Sequence, residues 1–289
     1  MKLINFKSNN VLKLGILTEQ GVIDVSAENP APQTPVTMTE ALNMGLERTI
    51  NALTPVLEHA KNYIPEETIL YAPVVDNPSK ILCVGLNYKT HVMESGKWDK
   101  LPERPVIFSK FNSTLIGHKG TVIRNRTSKK HDYEAEIVIV IGKEAAYVDK
   151  DSALDYVFGY TLANDISARD LQSYSHQWLL GKSCDTFCPL GPCITTADVL
   201  PHDAMHMVGR KNGEIRQEGD SNDLIFDIPT LVSYLSQCMT LQPGDVILTG
   251  TPAGVIGGRP ADQQDWLTDG DEVTVTVEQI GTLSCRISD

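Results

Sequence analysis

The chain has 289 residues, 41% of them hydrophobic and 21% charged, with a formal net charge of −12 at pH 7. Such a length can bury a large core without disulfide staples, and no apolar run approaches the ~20 residues of a membrane-spanning helix. The acidic balance argues against nucleic acid as a partner, because phosphate binding requires a basic field.

MKLINFKSNN lacks the apolar core of a secretory signal, so cytoplasm is the expected location. Short strands are expected at KLINF, VLKLGILTE and GVIDVS. A Pro-rich loop follows, ENPAPQTPV, then helices around TEALNMGL and TINALTPVLEHAKNY. YAPVVDNPSK reads as a link, so we expect a small N-terminal α/β domain over 1–74 and a second domain over 75–289.

Beyond that link the chain reads mostly as strands: KILCVGL, PVIFSKF, GTVI, YEAEIVIVIG, GYTLAND, MHMVGRKNGEIR, DVILTG and EVTVTVE. Asn212-Gly213 is a hairpin signal. The spacing of Ile228, Leu231, Val232 and Leu235 predicts a late helix. Strands and helices do not alternate, which excludes a doubly wound parallel sheet and leaves a β-rich α+β fold. Cys83, Cys184, Cys188, Cys193, Cys238 and Cys285 form no C-x-x-C pair. The spacing in SCDTFCPLGPC is no usual zinc pattern, so reduced thiols are expected.

HDYEAEIVIVIGK places Glu134 and Glu136 beside the apolar run Ile137–Ile141. Residues two apart on a strand share a face. Two such carboxylates need full solvation, a shared proton or a cation. Asp165 ends the apolar run of TLANDISARD, where a turn or cap residue is the plainer reading. Three carboxylates at the ends of buried strands would suit a hard divalent ion, Mg²⁺ or Mn²⁺. In NYKTHVMESG, His91 and Glu94 are i and i+3 and share a face if helical.

Five ordered stretches, KILCVGLNYKTHVMESG, DYEAEIVIVIGK, GYTLANDISARDLQ, LLGKSCDTFCPLGPCI and LQPGDVILTGTPAGV, closely resemble the fumarylacetoacetate hydrolase family. The likeness runs from about residue 75 to the closing IGTLSCRI and is loose before it. It implies a mixed β-roll catalytic domain, a homodimer and Mg²⁺ or Mn²⁺ held by Glu134, Glu136 and Asp165. It makes His91 and Glu94 a water-activating dyad supported by Arg169. Lys182 would stabilise enolate or oxyanion charge, and Gln172 and Thr251 would contact substrate. GKWDKLPERP, residues 96–105, resembles the family's lid.

The implied activity is metal-dependent C–C hydrolysis of acylpyruvates or related 2-oxo acids through a metal-bound pyruvate enolate. Oxaloacetate decarboxylation and isomerisation of unsaturated 2-oxo dioic acids use the same enolate and stand as alternatives. Family acylpyruvases often carry Arg where this chain has Leu86, a departure that leaves room for those reactions. A non-catalytic metabolite- or partner-binding member is the reading from another class. The retained His91, Glu94, Glu134, Glu136, Asp165 and Lys182 argue against it, since a dead site has little physical reason to keep buried charge.

Overall fold

A computed structural model describes residues 1–94 and 100–289. An 11-stranded sheet runs through the molecule, and its core is the strand Ala135–Ile141, buried at every position. Ile137, Ile139 and Ile141 face one apolar cluster, which includes Leu231 and Leu235 of the helix Ile228–Ser236. Val138 and Val140 face another, which includes Leu42, Leu53 and Val56 from the helices Met38–Met44 and Leu46–His59. A strand covered on both faces has no reason to alternate, hence its unbroken β-branched run.

The strand pairs antiparallel with Val157–Asn164 on one side and Val246–Leu248 on the other. Val246–Leu248 continues to Ile81–Gly85 and Val106–Lys110 at one end of the sheet. A second sheet of five strands carries the hairpin His206–Lys211 and Glu214–Asp220. Its turn is Asn212-Gly213, with φ of 53° and 81°, the left-handed pair that a two-residue hairpin requires. The fold is therefore the sheet-rich α+β arrangement that the strand spacing predicts.

The N-terminal strands Lys2–Ser8, Val11–Thr18 and Gly21–Asp24 extend the large sheet rather than forming one of their own. Lys2–Ser8 joins it through Cys188–Thr196. The domain division we propose at 74/75 falls where the chain leaves this edge, after Leu70–Tyr71, and enters the far end at Ile81–Gly85.

Candidate active site

Glu134 precedes the strand Ala135–Ile141 by one residue, and Asp165 follows Val157–Asn164 by one. The register Ala135↔Asn164 sets the two opposite each other. Two hydrogen bonds lock the crossing: Asp165 N donates to Glu134 O at 2.8 Å, and Glu134 N to Asn164 Oδ1 at 2.9 Å. Glu136 lies one step in, on the same face as Glu134. Ligand oxygens of Glu134, Glu136 and Asp165 fall within 4.8 Å of one another, and all three residues are buried.

Three cations surround these carboxylates. Lys182, on the short helix Leu179–Lys182 and 2% exposed, bonds Glu134 Oε2 at 2.6 Å and Asp165 Oδ2 at 2.7 Å. Lys110, at the end of Val106–Lys110, bonds Asp165 Oδ1 at 2.5 Å. Arg169 Nη2 lies 2.7 Å from Glu134 Oε1, an ion pair whose angle departs from hydrogen-bond geometry. Glu136 receives the Gly250 N–H at 2.6 Å.

The electrostatics follow from this. Burial raises the Glu134 carboxyl, but Lys182 and Arg169 outweigh it and hold the group below the usual range. Burial, Asp165 and Glu134 push Glu136 well above its ordinary value. Burial lowers the Lys182 ammonium, yet Asp165 and Glu134 leave it raised.

His91 and Glu94 lie on the helix Lys89–Glu94, and His91 is close enough to Glu134 to bear on its charge. His91 Nδ1 stands 3.6 Å from Glu94 Oε2 and has no hydrogen-bond partner among the described residues. Glu94 is instead seated on Gly254 N, at 2.9 and 3.1 Å from its two oxygens. Arg169 does not reach this pair among the described contacts; it binds Asp132, Glu134 and Gln172. Gln172 Oε1 accepts from Arg169 Nη1 at 3.1 Å. Thr251 is buried and accepts from Gln217 Nε2 at 2.7 Å, which leaves its own O–H to donate. Of the expected lid, residues 96–99 lie outside the described residues.

Sequence reading missed Lys110, Gln217, Asn87 and Asp132. PVIFSKF reads as a strand with a terminal lysine, and nothing in it shows that the lysine turns inward. Gln217 ties Ala135 N, Thr251 and Pro252 O together, and only the meeting of the two sheets reveals it. Asn87, 0% exposed, binds Thr249 O and both polar groups of the Phe226 backbone. Leu86 before it is held at φ 58°, a costly conformation for a non-glycine residue. Cavities of about 700 Å³ beside Arg48 and His59 and about 470 Å³ beside Tyr174 and Cys184 are lined by neither the carboxylates nor the His91–Glu94 pair.

Buried carboxylates gathered among cations at strand ends are a grouping that can serve chemistry, and the proteins the chain is similar to carry enzyme names. Residues 80–288 match the family described as fumarylacetoacetate (FAA) hydrolase C-terminal. The chain is 41% identical to an oxaloacetate tautomerase of Bacillus subtilis over 228 residues, 78% of this chain and 75% of that one. It is 37% identical to a mitochondrial oxaloacetate tautomerase of Rattus norvegicus over 294 residues, 99% of this chain and 91% of that one. Its fold matches the fumarylacetoacetate hydrolase of Exiguobacterium antarcticum with a TM-score of 0.86 and 32% identity, covering 100% of this chain and 99% of that one. The chain belongs to the fumarylacetoacetate hydrolase family of enzymes.

Proposed function

We propose that the chain is a divalent-metal-dependent enzyme that interconverts the keto and enol forms of oxaloacetate or a closely similar 2-oxo dicarboxylate. The observation that carries the metal reading is the convergence of Glu134, Glu136 and Asp165 within 4.8 Å in a buried site. An oxygen-only donor set of this kind fits Mg²⁺ or Mn²⁺, with Glu134, Glu136 and Asp165 as the residues that would hold the ion. When bound, the ion supplies Lewis acidity toward the substrate's carboxylate and 2-oxo oxygens.

Tautomerisation moves one proton from C3 to the 2-oxo oxygen, with no nucleophile and no bond cleaved between carbons. His91 takes the C3 proton; the C–H electron pair forms the C2=C3 bond, the carbonyl pair moves to oxygen, and the imidazole then passes a proton to that oxygen to complete the enol. Lys182 has three N–H donors, of which two are committed to Glu134 and Asp165. The third is left to meet that oxygen as charge develops. Gln172 and Thr251 would orient the substrate, and Arg169 would hold Glu134 in place.

His91 Nδ1, without a hydrogen-bond partner among the described residues, and Glu94, turned to Gly254 N, support proton transfer by His91 over water activation by a hydrogen-bonded dyad. Similarity to oxaloacetate tautomerases supports the same substrate class. Hydrolysis of acylpyruvates remains the second reading, favoured by the His91–Glu94 spacing of 3.6 Å, which a small rotation converts to a hydrogen bond. The working form we propose is a homodimer.

The test is ultraviolet detection of oxaloacetate enol decay, run beside pyruvate release from acetylpyruvate, with chelator and with added Mg²⁺ or Mn²⁺. We expect metal-dependent acceleration of enol decay. Metal-independent turnover would remove the metal from the reaction. Efficient acetylpyruvate cleavage without tautomerisation would establish the hydrolase reading instead.

A further inference from the structure

Asp132 is fully buried at 0% exposure, yet none of its hydrogen bonds goes to Glu136, Asp165, His91 or Glu94. Oδ1 accepts from Ile256 N at 2.8 Å and Tyr133 N at 2.9 Å. Oδ2 accepts from Gly257 N and from Arg169 Nε, both at 2.8 Å. These donors use all of the lone-pair sites a carboxylate offers.

Two functional groups hang from opposite ends of this arrangement. On one side, the loop that Asp132 grips is the seat of Glu94. Gly254 N bonds both of its oxygens, and at Gly258 a Cβ would stand 2.6 Å from Glu94 Cδ. On the other side, Arg169 passes from Asp132 to Glu134. The path Glu94, loop 254–258, Asp132, Arg169, Glu134 is continuous and charge-assisted, and Asp132 at its centre has no solvent to take up slack.

We infer that Asp132 is a positioning residue that couples the seat of Glu94 to the carboxylate cluster. A divalent cation at the cluster and the docked helix Lys89–Glu94 then favour one another. This rests on the metal reading above. The physical reason is that Glu134, drawn toward a cation, fixes where Arg169 ends. Arg169 fixes Asp132, and Asp132 fixes the Ile256 and Gly257 N–H groups. Coupling of this kind is reciprocal: what one site does to the other, the other returns by the same factor.

Amide exchange at Tyr88–Glu94 and Gly254, measured with chelator and with saturating Mn²⁺, tests the coupling, with Mn²⁺ affinity measured calorimetrically alongside. Wild type should show slower exchange on Mn²⁺ loading. Asp132→Asn should bind Mn²⁺ yet lose that metal-dependent slowing. A purely structural role would speed exchange equally with and without Mn²⁺, and that result overturns the inference. Gly258→Ala serves where Asp132→Asn fails to fold, because it leaves the cluster and Asp132 untouched. Displacing Glu94 should weaken Mn²⁺ about 5-fold or more by reciprocity. Unchanged Mn²⁺ affinity with faster exchange at Tyr88–Glu94 would overturn the coupling alone. Failure of wild type to bind Mn²⁺ would overturn the metal reading and the coupling together.

Discussion

Among the described residues, no ammonium or guanidinium pairs with Glu136, whose recorded partner is the Gly250 N–H. Its carboxyl is raised by burial, Asp165 and Glu134, so the metal-free folded state binds a proton that the unfolded chain has released. Stability from this group is therefore full below the ordinary value of 4.5 and declines as pH rises toward the raised one. Glu134 has the opposite sign: its depressed carboxyl stabilises above 4.5, and that contribution is lost as pH falls toward the lowered value. Thermal melts in chelator should thus show the Tm of wild type falling relative to that of Glu136→Gln as pH rises above the ordinary carboxylate range. The same slope in the variant would remove Glu136 as its source. Lys110 makes a second prediction. Removing one partner of a buried ion pair costs about 3–5 kcal/mol, so Lys110→Met should lose that much in chelator. It should lose less with Mn²⁺, which would offset the part of the Asp165 charge that Lys182 alone then answers. Denaturant titrations in both conditions decide this, and equal losses would argue that no cation reaches Asp165.

At the scale of elements, the apolar run 137–141 explains both the strand and its depth. Ile139 is 0% exposed, with a paired strand on either side and one apolar cluster over its side chain, so Ile139→Ala should cost about 2–5 kcal/mol. Ile215, 49% exposed on the hairpin, should change stability by no more than about 0.5 kcal/mol when cut to alanine. Comparable losses at both positions in urea would contradict this placement of the core. Periodicity and turn chemistry made most strands and the helix Ile228–Ser236 legible. Cys188–Thr196 was not, because Pro189 and Pro192 read as loop residues and prolines are rare inside sheets. The strand tolerates Pro192 through a register shift between Tyr160 and Leu162, which opens the ladder opposite that residue. The short helices Arg169–Gln172 and Leu179–Lys182 were equally illegible, since one turn leaves no periodic signal.

For the whole molecule, the proposed chemistry predicts that His91→Ala slows oxaloacetate tautomerisation about 10²–10⁴-fold, the usual contribution of a positioned base. Glu94→Gln should act less on that step, because Glu94 is turned to the loop rather than bonded to the imidazole. Rates of enol decay in both variants, with bound metal measured in each, check this. Equal losses would restore the pair as a single unit. No helix among the described residues is long and apolar enough to cross a membrane, in keeping with the apolar runs seen in the chain.

The sequence by itself determined the β-rich class, the hairpin at Asn212-Gly213 and the family, because these rest on local periodicity, turn chemistry and ordered motifs. It also marked the carboxylates that form the cluster, since a charge beside a buried strand is conspicuous. Tertiary structure decided which cations answer them. Lys110, Lys182 and Arg169 arrive from separate elements, and only the register Ala135↔Asn164 and the packing of those elements bring them to Glu134 and Asp165. Asp132 belongs to the same category. Its importance lies in four donors from three places in the chain, and no linear pattern encodes a meeting of that kind.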